Sequence, residues 1–126
     1  MKQKLLIVDD EAHIRMLIEQ TLEDLEDEGV EFLMAENGEE ALKIIQAENP
    51  QLVFLDVMMP KMNGMEVCLR VKKELGLNHV FIVLLTAKGQ ELDRQKGIEV
   101  GADLYMTKPF YPEAILSKAK EVLGLA

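Results

Sequence analysis

The chain holds a single cysteine, Cys68, so no disulfide can form within it, and a reducing compartment suits it. Cys68 sits among apolar residues and reads as a small core residue rather than a nucleophile. The two histidines, His13 and His79, stand far apart, which leaves no pair for a zinc site. Positive charge is scarce: 14 lysines and arginines face 23 aspartates and glutamates, a formal charge of −9. So acidic a chain repels phosphate backbones and anionic membranes, which argues against nucleic-acid binding by this domain alone. Long hydrophobic runs are missing too. The longest, Val80–Leu85, falls far short of a membrane span. The first apolar run, Leu5–Val8, is cut off by Asp9, Asp10 and Glu11 too early for a signal peptide. No glycine-rich loop precedes a Lys-Ser or Lys-Thr pair, so nothing cradles nucleotide phosphates. Repeats, linkers and low-complexity tracts are also wanting. The expectation is a cytoplasmic globular protein.

What is present suits one domain. The 126 residues are 48% hydrophobic and 29% charged, and a globule of this size buries roughly two-thirds of its unfolded surface. Short apolar runs of strand length occur at Leu5–Val8, Glu31–Ala35, Leu52–Leu55, Val80–Leu85 and Leu104–Met106. Runs apolar on both faces suit the buried strands of a parallel sheet. Helical spacing fills the gaps. Ile14, Leu17, Ile18, Leu22 and Leu25 form one stripe, stopped by Gly29. Asn37, with Glu40 three residues on, caps a second helix that Asn49-Pro50 ends. A third follows Asn63-Gly64 to about Leu75, before Gly76. A fourth stretch, about Gln90 to Val100, has no clean stripe and contains Gly97, so it should be the least stable. A fifth starts at Pro112 and shows Ile115, Ala119, Val122 and Leu123 on one face, with Gly124 closing it.

Strict strand–helix alternation predicts an α/β fold: a flavodoxin-like, doubly wound, five-stranded parallel sheet in the order 2-1-3-4-5 with five helices. In such sheets ligands bind beyond the carboxyl ends of the strands. Strand one runs into Asp9 and Asp10, strand three into Asp56, strand four into Thr86, and strand five is followed by Thr107, Lys108 and Pro109. One edge of the sheet thus gathers three carboxylates, a hydroxyl and an ammonium. Two unit charges about 5 Å apart repel by roughly 3 kcal/mol at an effective dielectric of about 20. A cation belongs among them, and oxygen-only ligands favour Mg²⁺ or Mn²⁺. A carboxylate beside such an ion and a lysine can act as a nucleophile towards a phosphoryl group.

The segments Leu5-Leu6-Ile7-Val8-Asp9-Asp10-Glu11, Leu55-Asp56-Val57-Met58-Met59-Pro60 with Asn63-Gly64, Leu85-Thr86-Ala87, Gly101-Ala102-Asp103 and Lys108-Pro109-Phe110 resemble the receiver domain of two-component response regulators. Each motif alone is weak. Together, in order and at matching strand ends, they are specific and cover residues 1–126 as one domain. The resemblance implies that Asp56 accepts a phosphoryl group from a sensor histidine kinase, that Asp10 binds Mg²⁺ directly with Asp9 helping through water, and that the Met58 carbonyl is a further ligand. It implies that Lys108 pairs with a phosphoryl oxygen, that Thr86 hydrogen-bonds the phosphoryl group, and that Tyr105 repacks in response. It also implies a cis Lys108–Pro109 bond, and small acyl phosphates as possible donors. The implied output is a switched surface, formed by the fourth helical stretch, strand five and the fifth helical stretch, that binds a protein target, a fused output domain or a second copy of the chain. Such a domain catalyses only its own phosphorylation and dephosphorylation. Met58 and Lys88 lie where they could influence the second of these rates.

Taken singly, these residues have ordinary readings. Asp9-Asp10 can be an acidic first helical turn, Asp56 and Thr86 can be caps, Lys108 a solvated lysine, and Tyr105 a half-buried aromatic. Met58, Met59, Met62 and Met65 read as packing around a loop, the acidic run from Glu23 to Glu28 as a solvated helix end, and His13 as exposed beside the site. Two other functions compete. A haloacid-dehalogenase-type phosphatase would also use Asp, Mg²⁺ and Lys, but it needs a second Asp where Met58 stands. A purely structural interaction domain would have no use for the acidic, Thr and Lys set. The chain reads either as a stand-alone receiver or as the first domain of a longer regulator.

Overall fold

The computed structural model describes residues 3–87, 98–108 and 111–125. Five parallel strands, β1 (Lys4–Val8), β2 (Glu31–Ala35), β3 (Leu52–Asp56), β4 (Phe81–Ala87) and β5 (Leu104–Lys108), form one sheet in the order β2-β1-β3-β4-β5. The predicted strand order is therefore observed. The described helices are α1 (Ala12–Thr21), α2 (Gly38–Glu48), α3 (Gly64–Leu69) and α4 (Pro112–Leu123). Helix α4 is the fifth helical stretch of the sequence. The fourth falls mostly on residues 88–97, outside the described residues; Ile98 and Glu99 are helical.

Alternation along the central strands divides the core in two. Leu6 and Val8, Val53 and Leu55, and Ile82 and Leu84 pack with Ala41 and Ile45 of α2 and with Met65, Val67 and Cys68 of α3. Leu5 and Ile7, Leu52 and Phe54, and Val83 and Leu85 pack with Ile18 and Leu22 of α1 and with Ile115, Ala119 and Leu123 of α4. Successive side chains leave opposite faces of a strand. A run that is apolar at every position is thus what a sheet covered on both sides requires. The edge strand β2 departs from this, since only Ala35 of its five residues is buried.

The helix ends follow their signals. Asn37 and Asn63 accept hydrogen bonds from the Glu40 and Glu66 amides, each at 2.9 Å, and so cap α2 and α3. Two helices deviate beyond their first turns. At the end of α1 the Leu22 amide is shared between the carbonyls of Ile18 and Glu19, and the chain tightens into a 3₁₀ segment, Glu23–Glu28, whose acidic side chains are exposed. Ile14, Ile18 and Leu22 form the i, i+4 row that meets the sheet, while Leu17 lies off it and is 43% exposed. Its expected place in the buried stripe is corrected accordingly. Helix α3 continues as a π-turn over Arg70–Glu74, with the Leu75 amide reaching back to Arg70 O at 2.8 Å.

That π-turn carries Lys72 inward. Its side chain is only 6% exposed, and Nζ lies 2.7 Å from Asp103 Oδ2. The same oxygen accepts the Ile82 amide at 2.9 Å. One carboxylate thus joins the end of α3, the start of β4 and the start of β5. Cys68, beneath it, is buried, and burial pushes its thiol up to about 12, so it is no nucleophile.

Removing one partner of a buried pair leaves an uncompensated charge, which costs more than the pair contributes. Asp103→Ala should therefore destabilise the domain by about 3 kcal/mol, since it leaves the ammonium with only the long contact to Asn78 O and strands the Ile82 amide. Lys72→Met, which leaves a part-exposed carboxylate still bonded to that amide, should cost only about 1 kcal/mol. Urea unfolding of both variants checks this, and equal losses would contradict it.

Candidate functional site

Register brings the carboxylates together. Val8 pairs with Leu55 across β1 and β3, so Asp9 and Asp56 follow side by side at the carboxyl edge. Adjacent strands lie about 4.8 Å apart. One carboxylate oxygen from each of Asp9, Asp10 and Asp56 lies within 4.8 Å of the others. Asp9 and Asp56 are buried and Asp10 is exposed. The set is all hard oxygen, half in and half out of the protein, and it fits a divalent cation that keeps some water. These three residues form an acidic pocket able to hold a metal ion.

Asp9 is held from three sides. Its amide donates to Ala35 O at 3.2 Å, extending the β1–β2 ladder. Its Oδ1 accepts the Glu11 amide at 3.0 Å, an Asx-type turn that steers the chain into α1. Its carbonyl accepts from Arg15 Nη1 at 2.5 Å. The spacing of the sequence put Arg15 on the polar face of the first helix; no local signal shows that it turns back to the strand end. Beside it, His13 is exposed as expected, with Nε2 3.3 Å from Glu11 Oε2.

The loop after Asp56 folds back tightly. The Val57 amide donates to Leu85 O at 3.0 Å, and the Gly64 amide donates to Val57 O at 2.9 Å. A Cβ on Gly64 would stand 2.3 Å from Asp56 O. A Cβ on Gly38, at the start of α2, would stand 1.9 Å from Met62 O. Only glycine admits both approaches. Along the loop, Met59 and Met62 pack partly against the core and Met65 is buried, but Met58 is 61% exposed. The expectation of Met58 as a packing residue is corrected: its side chain is exposed rather than packed on the core.

Thr86 is buried at the end of β4. Tyr105 pairs with Leu84 in the β4–β5 register and is half-buried against the core beneath α2 and α3. Leu84 and Thr86, two residues apart, share a face, so Thr86 and Tyr105 lie on the same side of the sheet. Lys108 pairs by backbone with Ala87, two residues beyond the level at which Leu85 meets Asp56. The expected cis Lys108–Pro109 bond and Lys88 lie outside the described residues.

A five-stranded sheet in this order, with acidic residues at the ends of β1 and β3 and a threonine at the end of β4, defines a receiver-type signalling domain. The sequence model of the response regulator receiver domain matches residues 5–120. The chain is 43% identical over 123 residues to the alkaline phosphatase synthesis transcriptional regulatory protein PhoP of Bacillus subtilis, covering 98% of this chain and 49% of that protein. It is 44% identical over 119 residues to the phosphate regulon transcriptional regulatory protein PhoB of Pseudomonas aeruginosa, covering 94% and 51%. The chain thus spans about half the length of these relatives. Among solved structures, the chemotaxis protein CheY4 of Vibrio cholerae superposes with a TM-score of 0.82 at 34% identity, over 97% of this chain and 99% of that one. The chain belongs to the response regulator receiver family. It is a signalling domain of two-component systems rather than a classical enzyme, and the phosphatase reading finds no support. Among the described residues no helix is long and apolar enough to cross a membrane.

Gly64→Ala should cost about 2 kcal/mol, because the methyl group meets backbone rather than a flexible side chain. It should also weaken divalent-cation binding by displacing the Asp56 peptide. Thermal unfolding with and without Mg²⁺ reads both effects; a variant as stable as the parent would show that the loop yields freely.

Proposed function

We propose that the chain is a phosphoacceptor in which Asp56 takes a phosphoryl group from the phosphohistidine of a sensor histidine kinase. The observation that carries this reading is the convergence of Asp9, Asp10 and Asp56, two of them buried, at one strand edge. An Asp56 carboxylate oxygen forms the new P–O bond as the P–N bond to the donor imidazole breaks, and the imidazole leaves with the electron pair and gains a proton. Asp10 and Asp56, with the Met58 carbonyl and with Asp9 acting through water, would hold Mg²⁺, which would supply positive charge against the phosphoryl oxygens. Lys108 offers an ammonium to one phosphoryl oxygen and Thr86 a hydroxyl to another. The domain catalyses only its own phosphorylation and dephosphorylation, the latter by attack of water on the phosphorus, which releases inorganic phosphate and restores the Asp56 carboxylate. Residues 1–126 then form one receiver unit, active in the cytoplasm.

The partners follow from the surface. Met16 and Leu17 of α1, Met58 and Tyr111 are exposed apolar residues on elements that begin at the site's edge. An apolar rim suits a protein donor better than a small phosphate ester. The similar PhoP and PhoB are named as transcriptional regulators. A fused or separate output partner is the expected reader, without nucleic-acid binding by this acidic domain itself. A phosphorylation-dependent homodimer is a further outcome of the same switch.

Intact mass after incubation with acetyl phosphate tests the chemistry. One phosphoryl addition that requires Mg²⁺ and is absent from Asp56→Asn is expected; addition that persists in that variant would assign the acceptor elsewhere. The coupling from Thr86 to Tyr105 has its own test. Thr86→Ala should still be phosphorylated but should lose most of the phosphorylation-linked change in tyrosine fluorescence, and a full-sized change would remove Thr86 from the switch.

A further inference from the structure

We propose that Arg15 is a positioning residue for the acidic site, holding the Asp9 peptide so that Asp9 and Asp10 present their carboxylates towards Asp56. The proposal rests on the metal-binding reading of that site and deepens it. Arg15 lies in the first turns of α1, with a side chain only 19% exposed. Its Nη1 donates to Asp9 O at 2.5 Å, and its Nη2 lies 3.9 Å from Glu36 Oε2, just after β2. Glu36 is 64% exposed, so this contact offsets little of the cost of desolvating a guanidinium.

A desolvated cation bonded to a neutral carbonyl needs a further reason to be there. The nearby acidic residues Asp9, Asp10 and Asp56 supply it, because their combined negative field favours a fixed positive charge. The same guanidinium joins the β1–α1 turn to the segment after β2. Asp9 is thereby fixed on both sides, the Val8–Asp9 peptide by its amide to Ala35 O and the Asp9–Asp10 peptide by its carbonyl to Arg15. Rotation of the Asp9–Asp10 peptide would swing the Asp10 carboxylate, which is exposed.

Two physical effects of Arg15 predict opposite results. If its charge mattered most, it would compete with the metal, and neutralising it would tighten Mg²⁺ binding. If its hydrogen bond to Asp9 O matters most, losing it loosens the ligand set. Groups that orient metal ligands from behind commonly contribute about 10- to 100-fold in affinity. The measurement is the Mg²⁺ dissociation constant of the folded chain by isothermal titration calorimetry, with Mn²⁺ electron paramagnetic resonance as a second readout. Arg15→Gln should weaken Mg²⁺ binding about tenfold. Arg15→Met, which keeps the apolar stem, should do the same if Arg15→Gln folds poorly. Arg15→Lys should recover most of the loss through its ammonium, and Glu36→Gln should change the constant little. An unchanged or tightened constant in both neutral variants, with the wild type binding normally, would overturn the positioning role. A wild-type chain that binds no Mg²⁺ would instead overturn the site reading, and this proposal with it. A purely structural arginine would lower the melting temperature and leave the constant of the folded chain where it was.

Discussion

Burying two carboxylates side by side is the constraint around which this domain is arranged. The β1–β3 register puts Asp9 next to Asp56, at the end of strands whose other residues are almost wholly dry. In such surroundings their repulsion is screened less than in water. Every neighbouring feature reduces that cost or exploits it. The Glu11 amide satisfies one Asp9 oxygen. Exposure of Asp10 keeps the third carboxylate partly solvated, and Arg15 brings a positive charge to the Asp9 carbonyl. What remains is a local excess of negative charge open to solvent on one side, the electrostatic condition for a small hard cation.

Geometry at this edge is exacting because the backbones are in contact. Helix α3 begins so close to Asp56 that its first residue can have no side chain, and α2 begins equally close to Met62. The two glycines let the loop from Val57 to Asn63 lie flat over the strand ends instead of arching into solvent. The asparagine caps before each glycine then set where the helices start. Local chemistry and tertiary fit agree at these positions, which is the consistency expected of a sequence that specifies one structure.

Most of this was legible in the sequence, for identifiable reasons. The central strands declare themselves because both faces of the sheet are covered, so β1 and β3 are apolar without interruption. Asn37, Asn63, Gly29, Gly76 and Gly124 act within a turn of themselves, and each stands where its signal put it, the glycines all with positive φ. The acidic pocket of Asp9, Asp10 and Asp56 was legible because ligands of an open parallel sheet gather at the carboxyl edge. The failures at Leu17, Arg15 and Lys72 concern contacts between one element and another. Nothing local distinguishes Leu17 from Ile18; only the angle at which α1 crosses the sheet does. Arg15 and Lys72 look like surface charges until the fold brings Asp9 O and Asp103 to them. The π-turn that carries Lys72 inward has no signature of its own.

The Lys72–Asp103 pair would also limit where the proposed phosphorylation-linked change could occur. Asp103 holds the Ile82 amide and the Lys72 ammonium together, so the entry to β5 is fixed to β4 and α3. Tyr105 lies only two residues further along, half-buried on the outermost strand, while Thr86 lies at the far end of β4. An edge strand pinned at its start and bonded to one neighbour can shift most readily at its free end. A rearrangement that begins at Thr86 would first meet its register partner Thr107, near that free end, and then Tyr105 on the same face. Because interiors this densely packed resist continuous deformation, such a shift would take the form of two alternative packings of Tyr105 rather than a graded movement. The switch then needs only a small free-energy difference between those packings, so that a few hydrogen bonds to one phosphoryl group can reverse their populations.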